Sequence, residues 1–261
     1  MLARILVTSS DDYFAPYLIV IYIHRFGPGP HKVEFEVEYP RSSQPPSDPD
    51  PATWKKWKSY LLMEMAPLDL MPHTVNLFLK QVHHQLWDGT YVTVNAPHVM
   101  QIGPRYEGVS ANVGSDEQRS YQHFHAEGLD KVSYQEYSPK YPHEQYTIGM
   151  SGRPSGPDLY INKMNNTVIH GPGGQMNDGD MHNEADPCFG RLVTARVPFL
   201  GLLEAIDLVP LNSDYPEAKV RIKSAKILLQ REGDGLVALE PGKKWDEKDK
   251  IVPLPEIPHG V

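Results

Sequence analysis

The sequence predicts a mainly β protein, folded as a closed or nearly closed barrel with a helix at each end. Three observations predict it. Short runs of alternating apolar and polar residues recur along the chain, the period that sets one strand face on a core and the other in water. Apolar residues at helical spacing occur in just two stretches, about 72–87 and 199–207. The 25 prolines, about twice the usual share, fall largely between these elements, where they end strands rather than break them. Many short strands with two helices suit a barrel capped at both mouths.

Taken in order, residues 1–29 hold the apolar run Tyr13–Ile23, broken by Pro16. It is too short to span a bilayer. Asp11 and Asp12 precede it and His24 and Arg25 follow, which are not the flanks of a signal peptide. A truncated signal anchor and an extra strand both stay open, and membrane association of this segment has no further support. Lys32–Tyr39 is a clear strand: Val33, Phe35, Val37 and Tyr39 alternate with Glu34, Glu36 and Glu38. Pro40–Lys58 reads as a surface excursion that closes in a Trp/Lys cluster, a solvated turn pinned by Trp54 and Trp57. Tyr60–Met65 is the next strand, ended by Pro67.

A helix starts near Pro72, a residue suited to the first helical position, and buries Val75, Phe78, Leu79, Val82 and Leu86 before Asp88-Gly89 stops it. Tyr91–Val94 and Val99–Ile102 are further strands. Residues 104–145 are polar and without period, read as long connections with one strand at most. Tyr146–Met150 and Leu159–Ile161 alternate on either side of the loop Gly152-Arg153-Pro154-Ser155-Gly156-Pro157. Residues 165–184 are loop-like. Phe199, Leu202, Leu203 and Ile206 mark the second helix. In Lys219–Leu229 the apolar positions jump from Val220 and Ile222 to Ala225 and Ile227, which predicts a bulge near Ser224. Residues 231–261 read as a tail along the surface.

Composition sets further bounds. A chain of 261 residues suits one domain with extensions or two small ones. The net charge of −8 argues against nucleic acid as partner, since phosphates would be repelled. The single cysteine, Cys188, allows no intramolecular disulfide and reads as a buried thiol. Among the 12 histidines, His123 and His125 would share a strand face, with His83, His84, His143, His170 and His182 as other candidates; no third ligand comes at a recognised spacing and HExxH is absent, so neither metal nor cofactor is predicted. Gly171–Gly174 lacks the Lys-Ser/Thr of a phosphate loop and reads as a turn. Ser151 and Ser155 complete no G-x-S-x-G. Asn165-Asn166-Thr167 is a glycosylation sequon, usable only in the secretory pathway. The compartment is not predicted; a secretory route follows only if 1–29 belong to a signal anchor.

Three pieces in a fixed order resemble the cyclophilin family of peptidyl-prolyl isomerases: Val99-Met100-Gln101-Ile102-Gly103, Tyr146–Asn162, and Asp186-Pro187-Cys188-Phe189-Gly190-Arg191-Leu192-Val193. The resemblance spans roughly 31–230, with insertions at 41–58 and 104–145 between the extension 1–30 and the tail 231–261. It implies a closed antiparallel eight-stranded barrel capped by the two helices.

The activity it implies makes and breaks no covalent bond. Rotation about a prolyl amide must abolish its resonance, a barrier of about 20 kcal/mol. A catalyst holds the ring in an apolar pocket, anchors the chain on either side and favours the twisted amide, whose nitrogen welcomes a hydrogen-bond donor. In the family that donor is an arginine. Here the resemblance aligns that position with Thr93, eight residues before Gln101, and no Arg lies between Gly89 and Gly103. Gln101 matches the glutamine that holds the substrate carbonyl. Tyr160 falls on the pocket phenylalanine, and Ser151 and Gly152 on a small residue and a backbone-binding Asn. His98 and Val99 replace a pocket Phe and Met. Asp186 falls on a histidine, and Met181 or His182 on a tryptophan. Gln101 also reads as a strand-end polar group, Tyr160 as core, and Arg153 as an exposed loop residue.

The expected function is therefore binding of a proline-containing peptide or protein client, with isomerase activity weak or lost. Whether the chain is an enzyme is left open. One alternative is an active isomerase with Arg153 or His98 as substitute donor; another is an assembly module acting through the barrel surface and the insertions.

Overall fold

The computed structural model describes residues 26–27, 29–40, 56–104, 122–130, 136–151, 157–174, 185–193, 220–231 and 235–241. Nine strands make one sheet: β1 (Lys32–Pro40), β2 (Lys56–Met65), β3 (Tyr91–Asn95), β4 (Val99–Gly103), β5 (Thr147–Met150), β6 (Leu159–Asn162), β7 (Cys188–Leu192), β8 (Arg221–Arg231) and β9 (Gly235–Ala238). Their order is β1-β2-β7-β5-β6-β4-β3-β8-β9, and β1 also pairs with β8. The first eight strands thus close on themselves, an antiparallel barrel as expected. Closure removes the free edges that would otherwise invite pairing with other chains.

Alternation fills the interior. Val33, Phe35 and Val37 of β1, Leu61, Met63 and Met65 of β2, Met100 and Ile102 of β4, Leu159 and Ile161 of β6, and Ile222, Ala225, Ile227 and Leu229 of β8 all point inward and are buried. The outward positions of β1 and its neighbours carry charge. Lys58 lies 2.9 Å from Glu36 and Lys223 3.0 Å from Glu38. The predicted bulge is present: Glu36 faces Ser224, and the register then shifts so that Val37 faces Ile222.

Helix α1 (Pro72–His83) packs its apolar stripe onto the barrel core. Phe78 meets Phe35, Trp87 and Phe189 at ring separations of 6.0, 5.8 and 5.1 Å. Its first turn is capped from far along the chain, where Glu136 accepts from the backbone N–H of His73 at 3.1 Å and of Thr74 at 2.8 Å. A carboxylate there satisfies orphan donors and opposes the helix dipole.

Five features differ from the sequence expectation. The first helix ends at His83, not near residue 87, because Gln85 takes a left-handed conformation (φ 57°). The N–H groups of Gln85 and Leu86 then return to the carbonyls of Val82 and Gln81, a Schellman closure. The cluster at Lys56–Lys58 is not a turn but the start of β2, held against the acidic face of β1 by the Trp57↔Tyr39 and Lys58↔Glu38 register. Within 104–145, residues 122–126 are helical rather than extended, and Phe124 is buried edge-on to Trp87 at 5.4 Å. Thr167–His170 forms a short helix, α2, in a stretch read as loop. Strand β9 falls within 231–261 and runs along the barrel, paired to β8. The predicted helix at 199–207 lies outside the described residues.

Candidate functional site

β4 and β6 set Gln101 directly opposite Tyr160 in an antiparallel register, and β3 sets Val94 against Gln101 on the other side. Because Met100, Ile102, Leu159 and Ile161 face the core, Gln101 and Tyr160 face outward. Val94 beside them is exposed. Three strands thus present a strip of apolar, amide and aromatic groups across the outer wall.

Tyr160 lies flat because its register partner on β5 is Gly149. Any Cβ at Gly149 would run into the Tyr160 ring. The ring is buried, and its hydroxyl donates to Asp186 Oδ2 at 2.9 Å. His170 Nδ1 lies 2.9 Å from the same oxygen, so it is the protonated nitrogen of that ring. His143 stacks on Tyr160 at 6.0 Å, and its Nε2 donates to the Asp186 carbonyl at 2.8 Å. With Nε2 holding the proton, Nδ1 is left to accept from Asn162 Nδ2 at 3.4 Å. Burial pushes the His143 imidazole down to about 4, so it is neutral at pH 7. The His170 ring stands 4.5 Å from Tyr160 and stacks on His98 at 6.0 Å. Burial foremost, then His170 and Lys163, lower the basicity of His98.

Gln101 is held differently. Its Nε2 donates to Asp158 Oδ2 at 2.7 Å. The acid occupies space left by Gly103, where a Cβ would collide with its carboxyl group. Burial pushes the Asp158 carboxyl up to about 6, against the stabilising bond from Gln101.

Gln101, Tyr160 and Asp186 therefore lie on one wall, with His98 joined to them through His170. Val99 is buried on the same outward face, opposite Asn162. Thr93 sits where the β3–β4 register slips, between Val92↔Ile102 and Val94↔Gln101. Its hydroxyl is buried without a hydrogen-bond partner among the described residues. The backbone N–H of Ser151 donates to the Asp158 carbonyl at 2.9 Å, at the mouth of the loop. Gly152, Arg153, Met181 and His182 lie outside the described residues. Sequence reading missed Asp158 and treated His143 and His170 only as metal candidates. The one signal for Asp158 was an acid directly before an apolar strand. Among the described residues no three His, Cys, Asp or Glu side chains are grouped to hold a metal.

No known family profile and no curated protein matches the chain. Among solved structures it is similar to a cyclophilin-type peptidyl-prolyl cis-trans isomerase of Cryptosporidium parvum, at 13% identity and a TM-score of 0.44, over 76% of this chain and 97% of that one. The same isomerase crystallised in the presence of the dipeptide Ala-Pro gives 14% identity and a TM-score of 0.40, over 64% and 90%. A cyclophilin of Hirschia baltica gives 9% identity and a TM-score of 0.36, over 84% and 80%.

Proposed function

We propose that this cyclophilin-like barrel binds extended, proline-containing peptide across the outward strip of Val94, Gln101 and Tyr160, with isomerase activity weak or lost. The observation that carries this reading is the register that sets Gln101 between exposed Val94 and Tyr160 on the outer wall. An extended ligand crossing there meets the exposed Val94 side chain and then the Gln101 amide, with the buried Tyr160 ring next in the strip. The reading of weak catalysis rests on the donor. Thr93 stands at the aligned arginine position, and its hydroxyl, buried at a bulge, does not reach outward as a guanidinium would. Losing one preorganised donor costs about 10²-fold or more in rate.

The test is prolyl isomerisation of a short Ala-Pro peptide followed by exchange NMR, with Gln101→Ala alongside. Peptide shifts that saturate, that weaken in Gln101→Ala, and that come with exchange at least about 10² slower than an arginine-bearing cyclophilin gives, are expected. Full-rate catalysis would overturn the reading of weak activity. Absence of binding would overturn the peptide site itself.

A further inference from the structure

A carboxylate offers acceptors and no proton, so the side of the Gln101 amide that meets Asp158 must be its NH₂. The bond is short, 2.7 Å, in the range of charge-assisted hydrogen bonds. Asp158 is also wedged: the missing side chain at Gly103 is what gives its carboxyl group room. The amide is planar, so committing its nitrogen to Asp158 turns its oxygen the other way. Among the described residues no donor engages that oxygen.

We infer that Asp158 is a positioning residue: by holding one of the two Gln101 N–H groups it orients the amide oxygen as an acceptor that grips a peptide N–H. The inference rests on the peptide-binding reading above and names what the site recognises. Proline has no N–H of its own, so the donor must come from a residue flanking the proline. This adds an acceptor contact to the carbonyl-holding role that the family resemblance implies for Gln101, whose second N–H is not committed to Asp158. A protonated Asp158 could instead donate to the Gln101 oxygen and let the amide turn over. Burial brings that protonation within reach near pH 6, and no charged side chain among the described residues contributes to the shift.

The experiment uses the full chain labelled with ¹⁵N and follows the Gln101 side-chain NH₂ resonances from pH 8 to pH 5, in wild type and in Asp158→Asn. Movement with a midpoint near 6 in wild type, absent in the isosteric variant, is expected. Binding is then measured at pH 8 for Ala-Ala-Pro-Ala-type peptides with N-methyl groups on either residue flanking the proline. One of the two methylations is expected to weaken wild-type binding about tenfold or more, the scale of one lost hydrogen bond, and to cost Asp158→Asn clearly less. Gln101 NH₂ resonances that neither titrate in wild type nor differ at pH 8 between wild type and Asp158→Asn would overturn the pairing. Titration with no methylation penalty would overturn the acceptor role. If no peptide binds at all, the peptide-binding reading falls and the acceptor role with it. The titration then still decides the Asp158–Gln101 pair separately.

Discussion

Tyr160 brings a hydroxyl into a wall where a plain ring would need no partner, and Asp186 supplies one 26 residues along the chain at 2.9 Å. The two are buried together, so the bond is not diluted by water. Tyr160→Phe keeps the ring over Gly149 but leaves the Asp186 carboxylate one donor short. Its expected cost is about 1–3 kcal/mol, read as a lower midpoint in urea with an unchanged slope. A midpoint equal to that of wild type would show that His170 alone satisfies the carboxylate. Alternation made the place of Tyr160 on a strand legible in the sequence. Its partner was not legible, because hydrogen bonds between distant loops leave no period.

Helix α1 shows the same division at the scale of an element. Pro72 at its start and the stripe Val75, Phe78, Leu79 and Val82 were plain from spacing. Its end was not, because a Schellman closure ordinarily announces itself with glycine and here holds Gln85 at φ 57°. A side chain in that region carries a cost that glycine does not. Gln85→Gly is therefore expected to stabilise the protein by up to about 1 kcal/mol, after the entropy that glycine adds to the unfolded chain. A lower melting temperature for that variant would mean that the Gln85 side chain makes a contact worth more than the strain. The cap from Glu136 is equally invisible in sequence, since it arrives from outside the helix and lacks the local spacing of a capping box.

Acid tests the molecule as a whole. His31 and His143 are both pushed down to about 4 by burial, and each donates Nε2–H to a backbone carbonyl. Their unfolded forms titrate near 6.5. Between about 6.5 and 4 the unfolded chain binds more of these protons, so stability is lost as pH falls through that window. Asp158 acts the other way: its raised value lets the folded chain bind the proton first, so between about 6 and 3.8 it favours folding on acidification. Two histidines outweigh one carboxyl, and the melting temperature is expected to fall from pH 7 to pH 5. His143→Gln, which can still donate to the Asp186 carbonyl, is expected to flatten that fall. An unchanged slope in the variant would remove His143 as a cause.

What the sequence determined by itself is the barrel: its inward residues, the helix that packs on its core and the bulge near Ser224. Each is written in a local period, and burial of alternate residues enforces that period at every strand. The tertiary structure alone decided what the outward positions do. Strand pairing set Gln101 beside Tyr160, the gap at Gly103 admitted Asp158, and two loops and the short helix α2 brought His143, Asp186 and His170 over one ring. Polar groups meet through space rather than along the chain, and their partners follow from closure of the sheet, which no single segment encodes.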